Sequence, residues 1–166
     1  MKLLRSELAS EFNKKLFDMS AGELPDRGTV FSDDHIACEL SVQAVQFGFQ
    51  LSGEIKATPE YGCVRCLCDN PIDLTLPIKL WLTAKEEITG DVNQNVVHFP
   101  ENKDHIELNG TIADIIRLAK PMNPICNKNC KGLCPKCGTN LNQTPCDCKT
   151  NENDSPWDAL KKLKPE

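Results

Sequence analysis

The stretch CNKNCKGLCPKCGTNLNQTPCDC, residues 126–148, sets six cysteines in 23 positions. Thiolates are soft ligands, and four of them in a tetrahedron hold Zn2+ through bonds of about 2.3 Å. The turn CPKCG, residues 134–138, suits that task. Its two cysteines present both sulfurs to one ion, Pro135 fixes the turn, and Gly138 permits the positive φ with which the chain leaves it. Consecutive cysteines of the stretch are separated by three, three, two, eight and one residues. Cys130, Cys134, Cys137 and Cys148 are the expected metal ligands. Cys146 is an alternate to Cys148, because two thiolates one residue apart reach the same tetrahedral ion with difficulty, and Cys126 is a further alternate. Zinc is the expected ion and iron its rival, since one CPxCG turn serves either.

A second group, CVRCLC, brings in Cys63, Cys66 and Cys68. Its single C-x-x-C, formed by Cys63 and Cys66, joins the distant cluster, holds half of an intermolecular site, or acts as a redox pair without the strand-then-helix context of thioredoxin-like motifs. Arg65 within it would depress thiol pKa values or meet a phosphate. Cys38, in an alternating stretch, reads as a small buried hydrophobe.

The surroundings of the thiols narrow the function. The whole chain carries a net charge of −5, so it is not the basic body of a bulk nucleic-acid binder. Yet residues 120–149 contain five lysines against one acid, Asp147, which makes the cysteine segment the basic part of an acidic protein. Ile125, Leu133 and Leu141 are its large apolar residues, too few to fold it by burial, and metal binding would replace that missing core. His35, His98 and His105 are scattered, and no HExxH, GxSxG, Walker or GxGxxG pattern accompanies them. Neither an enzyme nor a small-molecule substrate is expected. No apolar run approaches the roughly 20 residues that span a bilayer. The N-terminal MKLLRSELASEFNKK has Arg5, Glu7 and Glu11 where a signal peptide needs apolar residues. A cytoplasmic protein without membrane partners follows, and in a reducing compartment clustered thiols more often bind metal than form disulfides.

The elements that must position these groups are partly legible. At 40% hydrophobic and 26% charged the chain is globular in composition. Residues 1–34 show no sustained period and read as turns and loop. From Leu40 the pattern alternates, with a phase slip near Ala44 and Val45 that marks a bulge or a turn between two strands. Ile72, Leu74, Leu76, Ile78, Leu80 and Leu82 alternate without interruption, although Pro77 suggests an edge or a bulge. Residues 47–83 thus read as an antiparallel pair whose connection carries Cys63, Cys66 and Cys68. A loop over 84–95 and short extended pieces at 96–99 and 106–108 follow. Ile112, Ile115, Ile116 and Ala119 recur at helical spacing, with Thr111 as cap paired to Asp114 and Pro121 as stop. A second small helix begins with Ser155 and Pro156 and presents Trp157, Leu160 and Leu163 on one side. The fold class is therefore α+β: an antiparallel sheet or barrel-like core with short helices, and a Cys-rich C-terminal metal knuckle. Residues 1–120 form the core domain with the first C-x-x-C, and residues 121–166 the metal segment and terminal helix.

CVRCL after a glycine-containing strand, a helix running into LAKPMNPIC, then CKGLCPKCGTNLN with CDC, and a terminal small helix together resemble the YceD family over about residues 38–163. Its members are described as large ribosomal RNA subunit accumulation proteins. Cys68 departs from the pattern, standing where a polar or acidic residue is expected. The resemblance implies a non-enzymatic role in making or assembling the large ribosomal subunit, with 23S rRNA or a large-subunit precursor as partner and ribosomal proteins or assembly factors beside it. In that reading Arg65, Lys128, Lys131 and Lys136 contact RNA phosphates, which gives sequence-independent and salt-sensitive binding. Two other classes compete with it: a protein-interaction adaptor with a purely structural zinc site, and a thiol redox protein acting through Cys63 and Cys66.

Overall fold

The computed structural model describes residues 1–85 and 95–148. In chain order its elements are β1 (Lys2–Leu4), α1 (Arg5–Ala9), β2 (Phe12–Ser20), β3 (Val30–Phe31), β4 (His35–Val45), β5 (Gly48–Ala57), β6 (Pro59–Gly62), β7 (Asp69–Pro71), β8 (Leu74–Thr83), β9 (Val96–His98), β10 (His105–Glu107) and α2 (Asn109–Leu118). A five-stranded sheet of order β2–β4–β5–β8–β9 forms the frame, and β3–β6–β7 and β1–β10 form smaller sheets. All pairings are antiparallel except that of β8 with β9. The expected α+β class holds in its antiparallel-sheet form, with β2 and β9 at the edges.

Period-two patterning decides the central strands. Ile36, Cys38, Leu40 and Val42 of β4, Leu51 and Ile55 of β5, and Ile78, Leu80 and Leu82 of β8 are all exposed by 3% or less. Leu3, Leu8, Ile112 and Ile116 are fully buried in the same cluster, which places α1 and α2 over that face. Each such side chain contributes roughly 1.5–3 kcal/mol on burial. This layer, rather than the cysteine segment, therefore supplies the apolar stabilisation. Cys38 lies within it as the small hydrophobe expected, and burial pushes its thiol up to about 11.

The phase slip near Ala44 is the end of β4: Gln46 and Phe47 turn the chain into β5. β5 pairs with β8 from Gly48 opposite Thr83 to Ala57 opposite Leu74, and their connection carries the β6–β7 hairpin with Cys63, Cys66 and Cys68. Pro77 is accommodated because β9 covers β8 only at Trp81, Leu82 and Thr83, leaving the outer side of Pro77 without a strand partner among the described residues.

Two expectations are corrected. Residues 1–34 are not all loop, since β2 pairs along β4. β2 is an edge strand with Asn13, Lys14, Lys15 and Leu16 exposed, and a register shift between Phe12 and Lys15 together with positive φ at Glu11 and Lys14 erases its alternation. The helix before the cysteine segment begins at Asn109, so Thr111 lies inside it rather than capping it. Asn109 instead accepts from the terminal ammonium of Met1 and donates to the Glu23 carbonyl, while Asp114 pairs with Arg27 at 2.7 Å. Residues 86–94 of the expected loop and the helix expected from Ser155, with Trp157, Leu160 and Leu163, lie outside the described residues.

Candidate metal centres

Two turns of the same construction carry the first thiols. In residues 63–67 the Cys63 amide donates to the Cys68 carbonyl and the Leu67 amide to the Cys63 carbonyl, both at 2.9 Å. In residues 134–138 the Cys134 amide donates to the Thr139 carbonyl and the Gly138 amide to the Cys134 carbonyl, again at 2.9 Å. The fifth residue of each turn is left-handed, Leu67 at φ 59° and Gly138 at φ 72°. These turns aim backbone amides at sulfur. The Arg65 amide lies 3.4 Å from Cys63 Sγ, and the Cys137 and Lys136 amides bond Cys134.

Eight of the ten cysteines fall into two quartets, an inner one of Cys63, Cys66, Cys126 and Cys130 and an outer one of Cys134, Cys137, Cys146 and Cys148. Within each, all sulfurs lie within 4.8 Å of one another. Cys63 and Cys130 are 3.9 Å apart at Sγ, and Cys66 and Cys126 are 3.6 Å apart. Four sulfurs about 2.3 Å from a central Zn2+ make a tetrahedron with edges of about 3.8 Å. The donor set and its spacing fit such an ion. All ten thiols are free.

The expected set of Cys130, Cys134, Cys137 and Cys148 is thus divided by the fold. Cys130 stands with Cys63, Cys66 and the alternate Cys126, and the alternate Cys146 completes the group of Cys134, Cys137 and Cys148. Cys146 and Cys148 share a quartet despite their spacing because the Cys148 amide turns onto the Cys146 sulfur, folding the chain between them.

Three hydrogen bonds attach the segment after α2 to the first turn. The Val64 amide donates to the Pro124 carbonyl (2.9 Å), the Leu133 amide to the Arg65 carbonyl (3.0 Å), and Arg65 Nη1 to the Cys130 carbonyl (3.1 Å). Gly132 sits at φ 75°, and a Cβ there would lie 3.0 Å from the Arg65 carbonyl oxygen, so the close approach needs glycine. Around the sulfurs, Asn142 Nδ2 approaches Cys130 Sγ at 3.3 Å and Asn140 Nδ2 approaches Cys68 Sγ at 3.2 Å.

Within each quartet, which could hold a cation, the thiols differ in how readily they ionise. Bonds from the Cys126 and Cys66 amides lower the Cys63 thiol to about 6, and the Thr139 hydroxyl and amide lower Cys137 to about 6. Cys148 is pushed up to about 12 by its neighbour Cys137. Cys66 is raised as well: the Cys68 amide opposes the shift, but burial and the crowding of Cys63, Cys126 and Cys130 prevail. The first thiols ionise readily, and the last cannot join them without positive charge at the centre.

Lys128, Lys131 and Lys136 are exposed around the two quartets. Arg65 is exposed too, with its guanidinium engaged by Cys130. Sequence reasoning missed Gly132, Asn140 and Asn142. The signal available for the partition was the repeated C-x-x-C turn itself: two such turns require four further thiols, and Cys126, Cys130, Cys146 and Cys148 are the number needed.

The fold and its centres define a small antiparallel β protein whose sheet carries a tail organised around two tetrathiol groups. The model of large ribosomal RNA subunit accumulation protein YceD matches residues 51–164, and the chain belongs to the YceD family. Both quartets lie within the matched residues. No curated protein and no solved structure matches the chain. Membership implies a role in the accumulation of the large ribosomal subunit and partners connected with the ribosome. No helix among the described residues is long and apolar enough to cross a membrane.

Proposed function

We propose that this chain is a non-enzymatic cytoplasmic factor of large-subunit biogenesis that supports 23S rRNA synthesis, processing or accumulation by binding RNA or a ribosome precursor. The observation that carries this reading is the setting of Lys128, Lys131 and Lys136, exposed on the segment that the two quartets organise, in a chain of net charge −5. A cation-bearing, rigid segment meets phosphates locally, while the acidic remainder limits non-specific binding. Zinc in both quartets supplies the rigidity, in accord with the 3.9 and 3.6 Å sulfur spacings. Elemental analysis of the purified chain is expected to give two zinc ions per molecule, and iron in their place would change the cofactor. Binding of 23S rRNA fragments is expected to weaken on reversal of the three lysine charges and to fall with salt. Equal binding by wild type and variant would remove the lysines from the account.

An adaptor reading is favoured by a different observation: Val64, Leu67 and Met122 are exposed by 52, 70 and 97%. Co-purification with ribosomal proteins or assembly factors that survives nuclease treatment would support that reading over RNA binding.

A further inference from the structure

The loop between Cys137 and Cys146 joins two outer-quartet thiols, yet it sends one side chain to an inner-quartet sulfur and a second to Cys68 beside it. Asn142 Nδ2 lies 3.3 Å from the sulfur of Cys130, and Asn140 Nδ2 lies 3.2 Å from that of Cys68. Neither amide is free to turn away. Asn142 Oδ1 accepts from the Lys131 amide at 2.8 Å, and Asn140 Oδ1 accepts from Asn142 through Nδ2 at 2.9 Å and the backbone amide at 3.0 Å. The backbone beneath is pinned by a Leu141 amide bond to the Gly132 carbonyl (3.0 Å) and by the bridge of Leu133 with Asn140. Cys68, which belongs to neither quartet, serves here as the acceptor that fixes Asn140, and Asn140 in turn fixes Asn142.

A donor on a ligating thiolate draws off part of its charge and sets the direction of its lone pairs, and losing such an outer partner typically lowers metal affinity by about 10–100-fold. Both asparagines lie in a loop whose ends, Cys137 and Cys146, are outer-quartet thiols. An ion in the outer quartet therefore fixes the frame that aims Asn142 at the inner one. We propose that the two centres bind metal cooperatively, with Asn142 and Asn140 as the coupling residues: occupancy of the outer quartet raises the affinity of the inner. By linkage, occupancy of the inner raises that of the outer by the same factor. The inference rests on the metal reading above.

The test uses the full chain stripped of metal. Co2+ and Zn2+ are titrated in against a competing chelator, and cobalt–thiolate absorbance counts occupied centres. Cys137→Ser with Cys148→Ser leaves the inner centre alone, and Cys63→Ser with Cys66→Ser leaves the outer. The product of the two wild-type binding constants is expected to exceed the product of the two single-centre constants by about tenfold or more. Asn142→Ala is expected to reduce that excess towards one, costing much more in the intact chain than in the chain lacking the outer thiols. The cysteine variants keep both asparagines, so they decide the coupling even if Asn142→Ala loosens the loop. Two ions bound with equal products overturn the coupling and leave the metal reading standing. An excess that persists unchanged in Asn142→Ala overturns the assignment to the asparagines, and a wild-type chain that takes up fewer than two ions overturns metal reading and coupling together.

Discussion

The inner and outer quartets use the same kind of turn and the same number of thiols, and they differ in what they join. Cys66 and Cys126 are 60 positions apart, so the inner group ties the β6–β7 hairpin to the segment that follows α2. The outer group closes only residues 134–148 on themselves. Cys63, Cys66 and Cys130 are exposed by 6% or less, whereas Cys137 and Cys148 lie open to solvent. Each doubling of a closed loop adds about 0.6 kcal/mol of closure entropy. The inner closure is therefore the one that constrains the unfolded chain more. Identical chemistry has unequal consequences because ligand position along the chain decides what an ion staples together.

The largest separation between the two centres is expected from single ligand losses. Cys66→Ser breaks the inner quartet and should free residues 121–148 from the hairpin, lowering stability by several kcal/mol, in keeping with the roughly 10–16 kcal/mol that structural zinc supplies to small folds. Cys137→Ser, which leaves the four inner thiols in place, should cost less, about 1.4 kcal/mol for a tenfold weaker inner ion. Calorimetry together with protease sensitivity after α2 measures both. Equal loss of stability in the two variants would erase the distinction between staple and local fold.

Metal release under acid comes next in size. Cys63 and Cys137 titrate at about 6 rather than 9.0 in the fold. A depressed folded pKa contributes stability that is complete above the unfolded value and is lost as pH falls through the folded one, so the window runs from about 9 down to about 6. Metal affinity is expected to fall as pH drops, and more steeply below about 6, where protons compete for Cys63 and Cys137 as well, the exposed outer centre yielding first to a chelator dye. Release that increases as pH rises, or an inner ion that leaves before the outer, would contradict the ordering.

What the sequence disclosed follows from which forces leave local traces. The alternation of residues 72–82 exposes β8 because one face packs on the core, and Ile112 and Ile116 expose α2 for the same reason. β2 leaves no such trace, since an edge strand with a register shift needs no strict alternation. The six-cysteine stretch disclosed a candidate metal site but not its division into two quartets, because Cys63 and Cys66 reach Cys126 and Cys130 through tertiary folding that spacing within residues 126–148 cannot encode. Asn140 and Asn142 were hidden for a related reason: an asparagine's value lies in which sulfur its amide meets, and Cys130 and Cys68 come to it from elsewhere in the chain.

Smaller effects separate the left-handed residues of the two regions. Gly132→Ala should cost about 2 kcal/mol, because its φ of 75° is strained for alanine and the new Cβ meets the Arg65 carbonyl at 3.0 Å. Gly138→Ala, with no atom within 4 Å of the added Cβ, should cost only the conformational part, about 1 kcal/mol. Denaturant titration of the zinc-loaded variants tests the difference. Equal losses would show that the close approach of the tail to the first turn carries no energy.

The smallest change expected is a gain. Leu67 occupies in the first turn the left-handed position that Gly138 holds in the second, and it is 70% exposed, so its side chain returns little burial for its strain. Leu67→Gly removes about 1–2 kcal/mol of backbone strain and gives back about 0.4–1 kcal/mol through the freer unfolded chain. The net stabilisation should lie between about 0 and 1.6 kcal/mol, seen as a small rise in Tm. A loss instead would mean that the exposed leucine makes a contact that the strain of the first turn is kept to provide, and the two turns would then differ in surface as well as in reach.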